Sequence, residues 1–331
     1  MCHRLLRVPS FCSRVLGGCA LMLCLCFFTG QVACGAGGSI SLVPTITLLV
    51  PEPETSQVHS FYKIIPEFLA SIASNAVVLE HHPGMGGGRA LHALASRRAN
   101  GSQIAGVSLP TFLLQPMAGQ KRFQPDSVAL TVVLARADLG LWVPEKSPWR
   151  TVGQMAQHIR DSGRALFYFS GTGSWTTYEM ATLFFNQASG VLVGYLPYMG
   201  TKEASQAVLN GDAIAVWGVV GPASSMPGMR LLGTASPMRS PLCPDVPTFN
   251  ESGISLEVSE QYGLALPAGA DEETRLVTSN LFTHLANDPL FVARAATLGY
   301  MVEAVPYPLL PELVVRQTSD LRDFMDRYIM P

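Results

Sequence analysis

Leu166-Phe167-Tyr168-Phe169-Ser170-Gly171-Thr172-Gly173-Ser174 runs from an apolar stretch into a glycine-rich loop, and a helical pattern starts near Thr176. The chain repeats this device. Ala76–Leu79 leads into His81-His82-Pro83-Gly84-Met85-Gly86-Gly87-Gly88, and the helix-like Arg89-Ala90-Leu91-His92-Ala93-Leu94 follows. Each unit brings backbone N–H groups and a helix N-terminus to one spot, an arrangement suited to holding an anion. Two such units predict a ligand gripped from two sides.

Outward from these loops, strand-like and helix-like patterns alternate. Thr45–Val50 reads as a buried strand, and Ser56–Ser74 places Val58, Phe61, Ile65, Phe68, Leu69 and Ile72 on one helical face. Further strands are expected at Gln103–Val107, Val128–Ala135, Ala165–Phe169, Leu192–Tyr195, Ala213–Trp217 and Tyr262–Leu266. Helices are expected at Thr151–Arg160, Thr176–Ser189, Lys202–Leu209, Glu272–Ala286 and Leu309–Arg327. The alternation predicts an α/β fold with mainly parallel sheets. Met226–Pro247, rich in proline and glycine, reads as a long connection.

A chain of 331 residues can bury two cores. Its formal charge of −2 and 14% of charged residues supply no basic stripe for nucleic acid. Beyond the first 34 residues the longest apolar candidate, Val128–Val143, is broken by Arg136 and Asp138 and is not a membrane span.

Six of the seven cysteines precede residue 35, leaving Cys243 in the remainder. The same segment carries Arg4, Arg7 and Arg14, then an apolar stretch from Val15 to Phe28, then small residues. That order is a secretory signal, and a body with one thiol, unable to form an internal disulfide, suits an oxidising compartment. The exit reads two ways. Val32-Ala33-Cys34 resembles the end of a lipobox with Gln31 where leucine is usual, which makes Cys34 the lipidated N-terminus and Gly35–Ser39 part of a tether. Ordinary cleavage after Ala33 or Ala36 is the alternative. The lipoprotein is the preferred reading.

A larger set of motifs occurs in a fixed order. After the Ser170–Ser174 loop come Leu196-Pro197-Tyr198-Met199-Gly200, Val208-Leu209-Asn210-Gly211-Asp212 and Arg239-Ser240-Pro241. Pro244-Asp245-Val246-Pro247-Thr248, Glu251-Ser252-Gly253 and Tyr262-Gly263-Leu264-Ala265-Leu266-Pro267-Ala268-Gly269 complete it. In order and spacing these resemble the extracytoplasmic solute-binding proteins of tripartite tricarboxylate transporters, the TctC or Bug family, from about Thr45 to the C-terminus. The resemblance implies a type II periplasmic-binding-protein fold, two α/β lobes with a ligand cleft between them. It divides the chain into a signal peptide at 1–33, a tether at 34–44, lobe one at 45–138 plus 262–331, and lobe two at 139–261.

The implied function is capture of a small carboxylate-type anion in the periplasm and its delivery to membrane transporter subunits, with no catalysis, cofactor, metal or nucleic acid. Carried over motif by motif, the ligand contacts expected are Ser170, Gly171, Thr172, Gly173 and Ser174, with Gly86 and Gly87 from the first loop and Tyr198 from Pro-Tyr-x-Gly. Trp175 and Trp217 are the aromatic candidates. Each has a plainer reading: a capped αβ turn for the Ser170–Ser174 loop, tight helix–strand packing for Gly86 and Gly87, and core packing for Tyr198 and Trp217.

The departures from the family pattern are informative. Relatives follow the first strand with a glycine pair and an aspartate; here Val50-Pro51-Glu52-Pro53-Glu54-Thr55-Ser56-Gln57 has no glycine and two carboxylates. Thr55, Ser56 and Gln57 are left as polar contacts, and Glu52 and Glu54 would repel a carboxylate ligand unless they face solvent. The first glycine loop is not a dinucleotide fingerprint, because Arg89 stands where the third glycine belongs. His81, His82 and His92 lack a further ligand at metal-site spacing, and no Gly-x-Ser-x-Gly elbow occurs. The alternatives carried are a ligand sensor for a signalling partner, a surface lipoprotein with an altered or decayed site, and a small-molecule hydrolase.

Overall fold

The computed structural model describes residues 43–163, 166–222 and 226–328. The leader and Cys34 lie outside the described residues.

Strand β1 (Thr45–Val50) is flanked in parallel by β2 (Ala76–His81) and β3 (Gln103–Leu109). Helix α1 (Gln57–Ile72) makes the first crossover and α2 (Gly88–Ala95) the second. A short α3 (Thr111–Met117) follows β3. The same construction recurs beyond residue 144. Strand β5 (Phe167–Thr172) is flanked in parallel by β6 (Val193–Tyr198) and β7 (Ala215–Val219), with α4 (Val152–Asp161), α5 (Thr177–Ser189) and α6 (Thr201–Asn210) as connections.

One long strand joins the two halves. Strand β4 (Val128–Pro144) pairs antiparallel with β9 (Ser259–Pro267) through Asp138, and with β7 from Leu139 onward. Strands β8 (Met229–Thr234) and β10 (Met301–Pro306) also pair antiparallel with β4. The sheet is therefore mixed, which corrects the expectation of mainly parallel pairing.

The sequence cut β4 at Ala135 because charges follow. Arg136 and Asp138 are two apart, so they share one face of the strand, where Arg136 Nη1 donates to Asp138 Oδ1 at 2.6 Å. Glu303 of β10 accepts from the same guanidinium at 3.3 Å. Paired in this way, the charges sit within a strand without interrupting it. Strand β8 likewise occupies part of the stretch read as a connection.

The chain builds two main cores. Ile46, Leu48, Phe61, Ile65, Leu264, Phe282 and Phe291 form one, drawing on β1, α1, β9, α7 (Glu272–Ala286) and α8 (Pro289–Thr297). Phe169, Phe185, Trp217 and Phe249 anchor the other. The last helix, α9 (Leu310–Tyr328), reaches across: Leu321, Phe324 and Met325 pack with Leu114 of α3 and Met180 of α5. Among the described residues no helix is long and apolar enough to cross a membrane.

Candidate functional site

The two glycine loops meet. After β2 the backbone turns left-handed at Gly84, Met85, Gly86 and Gly87; after β5 it does so at Gly173 and Trp175. A Cβ added at Gly173 would stand 2.9 Å from the Cα of Gly86 and 3.0 Å from its nitrogen. One added at Gly86 would stand 2.5 Å from Gln115 Nε2. Glycine is required at both by conformation and by contact. Met85 and Trp175, at φ 57° and 56°, bear the same conformation without that freedom, at a cost of about 1 kcal/mol or more each. Local strain thus gathers where the loops touch.

Beneath this contact lies a cavity of ≈ 30 Å³. One half contributes Glu52, Tyr62, Gly86, Gly87, Thr111, Gln115 and Tyr262; the other contributes Thr172, Thr176 and Tyr178, and Glu260 enters at the start of β9, where the chain crosses between them. The space suffices for about one water-sized group. Two carboxylates and no lysine, arginine or histidine line it.

Glu260 is 3% exposed. Its Oε1 accepts from Thr177 Oγ1 at 2.9 Å and from Thr111 Oγ1 at 3.4 Å, while Oε2 accepts from the Tyr262 hydroxyl at 2.9 Å. Thr111 starts α3 and Thr177 starts α5, so this carboxylate ties together elements of both halves. Burial pushes its pKa up, and the hydroxyl donors pull against that rise.

Glu52 is less well served. Its Oε2 is buried with no hydrogen-bond partner. Burial, then the charge of Glu260, push its pKa up to about 8, with the Ser56 hydroxyl opposing and Glu203 adding to the rise. Glu52 is therefore mostly protonated at neutral pH. Of the two acids in the altered first loop, only Glu54 turns outward: its side chain is 76% exposed, with Oε1 3.9 Å from His81 Nδ1.

On the other side of the loop contact is an open groove of ≈ 570 Å³ lined by Gly84, Met85, Arg122, Gly173, Ser174, Pro197, Tyr198, Met199 and Glu203. Arg122 donates to the Ser174 carbonyl at 3.1 Å and to Ser174 Oγ at 2.7 Å, leaving its charge without a carboxylate in hydrogen-bond contact. The loop's amides are partly taken. Gly173 N–H donates to the Tyr198 carbonyl at 2.8 Å, and Trp175 N–H to Glu179 Oε2 at 2.5 Å. Glu179 also supplies the negative charge that the α5 N-terminus favours.

The residues expected from sequence therefore divide. Gly86, Gly87 and Thr172 line the cavity, and Gly173, Ser174 and Tyr198 line the groove. Trp175 lies in the second loop and packs against the cluster that Leu114 of α3, Met180 of α5 and Leu321, Phe324 and Met325 of α9 form. The rest hold the frame. Ser170 Oγ donates to the Ala204 carbonyl at 2.9 Å, and Gly171 packs against the Tyr195 ring.

Trp217 is 1% exposed in the second core, where its indole N–H donates to Thr182 Oγ1 at 2.9 Å. Ser56 caps α1 by accepting from Val58 N–H at 3.2 Å. Gln57 reaches the other half: Oε1 accepts from Val219 N–H at 3.0 Å, and its own N–H donates to Thr201 Oγ1 at 3.4 Å.

Sequence reasoning missed Glu260, Thr111, Tyr62, Tyr262 and Arg122. One signal was present. Strand alternation puts Glu260 on the same face as Tyr262 and Leu264, and an acid on a core-facing register marks a special site. Among the described residues no group of three or more His, Cys, Asp or Glu is placed to hold a metal.

The sequence profile described as "Tripartite tricarboxylate transporter family receptor" matches residues 62–302. A protein of Cupriavidus necator described as "UPF0065 protein in gbd 5'region" is 29% identical over 216 residues, 63% of this chain and 64% of that one. Among solved structures, MatC from Rhodopseudomonas palustris with bound malate aligns over 86% of this chain and 99% of its own, with TM-score 0.73 and 21% identity. An R. palustris protein with adipate aligns over 85% and 96%, with TM-score 0.77 and 16% identity. These two structural likenesses concern the fold.

Proposed function

The chain belongs to the tripartite tricarboxylate transporter receptor family, and from that premise we propose that it is an extracytoplasmic solute-binding protein for a small carboxylate-bearing metabolite. One observation carries the reading: a cavity walled by both halves of the sheet and roofed by two glycine loops in contact. A ligand can reach such a space only if the loops part, so binding acts by shifting an open–closed equilibrium. The lobes that move are 45–138 with 262–331, and 139–261. The liganded form is delivered to transporter subunits in the membrane. The family is one of receptors rather than enzymes.

The malate and adipate held by the two solved proteins supply the ligand class and the first probes. Titration with either should shrink the scattering radius and change tryptophan emission at one common midpoint. Trp175 is the reporter, because its neighbours come from both halves. Trp217 is silent, held in the second core by Thr182. Trp175→Phe should abolish the optical signal and leave the compaction. Binding without compaction would exclude closure, and failure of a broad metabolite panel would favour a decayed site.

Tethering through Cys34 is part of the same proposal, supported by the Val32-Ala33-Cys34 exit from the leader. The native N-terminus should carry the mass of an acylated cysteine. An unmodified terminus at Gly37 would exclude the anchor.

A further inference from the structure

The charge content of the cavity does not suit a plain dicarboxylate. Glu52 and Glu260 both line it, and no cationic side chain does. Glu260 has hydroxyl partners on both oxygens, whereas Glu52 Oε2 is buried and unpartnered. A ligand carboxylate placed there would stand against Glu260 with no cation to balance it, its one new donor being the proton that Glu52 retains. The one base lining either space is Arg122, on the groove side of the Gly86–Gly173 contact, where Glu203 is the other charged residue. The cavity is thus acidic, while the one guanidinium stands outside it in a groove that it shares with Glu203.

We propose that the cavity takes a cationic nitrogen group of the ligand, seated between Glu52 and Glu260, with the ligand's chain passing beside the Gly86–Gly173 contact and its carboxylate directed toward Arg122 and Ser174. The solute is an amino-carboxylate. This rests on the receptor reading above and narrows its ligand class. An ammonium group is about the size of the ≈ 30 Å³ space and supplies the donor that the unpartnered Glu52 oxygen needs once that carboxyl gives up its proton. Its charge replaces the proton that Glu52 otherwise retains.

The groups facing Glu52 are Glu260 from β9, Glu203 from α6, the Ser56 hydroxyl, and the hydroxyls of Tyr62, Tyr178 and Tyr262. Burial, then the charge of Glu260, raise all three tyrosine pKa values, so the phenols remain neutral donors. The carboxyl is then the group that exchanges its proton when an ammonium arrives. Binding releases that proton and tightens as pH rises toward 8, whereas a carboxylate ligand would need Glu52 protonated and would weaken over the same range.

Calorimetry on the full mature chain, with succinate against 4-aminobutyrate and adipate against 6-aminohexanoate, tests this. For the length that fits, the amino acid should bind at least about tenfold more tightly than the diacid, and gain up to about tenfold per pH unit between pH 6 and 8. Glu52→Gln should erase both the preference and the pH slope. A diacid that binds more tightly than its amino partner, or whose binding weakens as pH rises through 8, would overturn the proposal and leave the receptor reading intact. Equal binding of the paired compounds overturns it as well. Absence of binding by all four, together with no stabilisation by methylammonium chloride over sodium acetate in a melting experiment, overturns the proposal, and the receptor reading then falls only if the broad metabolite panel fails as well.

Discussion

Gly173→Val should abolish ligand binding while the protein remains folded. The new Cβ would stand 2.9 Å from Gly86 Cα and 3.0 Å from its nitrogen, and 3.0 Å from Thr176 Cγ2. Two of these three neighbours are backbone atoms, which cannot rotate away. The φ of +68° adds a conformational cost of roughly 1–2 kcal/mol for any L side chain, more for a β-branched one. Together these place the closed arrangement several kcal/mol higher, which lowers affinity by about a hundredfold or more.

Gly119→Ala is the matched control. Gly119 has φ +71° and nothing within 4 Å of its added Cβ, so that variant bears the conformational cost without the collision. Its binding should equal the parent's. If Gly173→Val also bound like the parent in calorimetry, the loops would not need to meet around a ligand.

The unliganded protein should lose stability as pH rises from about 4.5 to about 8, by on the order of 3 kcal/mol from Glu52 alone. The sign follows from the direction of the shift. Glu52 holds its proton more tightly folded than unfolded, so its contribution is fully present below the ordinary value of 4.5 and is lost as pH passes its folded value of about 8. Glu260, also shifted upward by burial, acts in the same sense. His59 is shifted downward by burial and by His81, and opposes them on the acid side of neutrality.

The difference between parent and Glu52→Gln isolates the one carboxyl. Denaturant midpoints should show the variant gaining on the parent steadily from pH 5 to 8.5. Parallel pH profiles would mean that Glu52 titrates normally and that its environment is wetter than its buried Oε2 implies.

Local patterns in the chain were legible where neighbouring residues cooperate. The apolar runs at Thr45–Val50 and Phe167–Phe169 and the glycine clusters carry their own structural instructions within a few residues. Antiparallel pairing at the centre of the sheet was not legible. It depends on β9 meeting β4, more than a hundred residues earlier in the chain, and on Arg136 and Asp138 neutralising one another inside a strand.

The site divides in the same way. Glycines that must turn left-handed announce themselves in sequence. The cavity floor does not, because Glu260 acquires its meaning from Thr111 and Thr177, which lie 149 and 83 residues away. Glu52 was visible as an anomaly, but its inward aim was not. Trp217 was misleading because strand polarity suggests that a residue near the strand's end approaches the ligand, whereas its alternation in the strand puts it on the core face with Phe169 and Phe249.

Gln57 and Val219 bear on how long a guest stays. The carboxamide exchanges two hydrogen bonds with one residue's backbone, at 3.0 and 3.4 Å, and the Tyr300 hydroxyl donates to the Gln57 carbonyl at 3.2 Å. None of these three residues lines the cavity. If the halves part along this seam, a solute inside leaves no faster than the seam opens, and its dwell time is set by residues that never touch it. Residence and recognition then become separate properties. A docking partner that competes for the Val219 backbone would hasten unloading while the pocket's preferences stay unchanged.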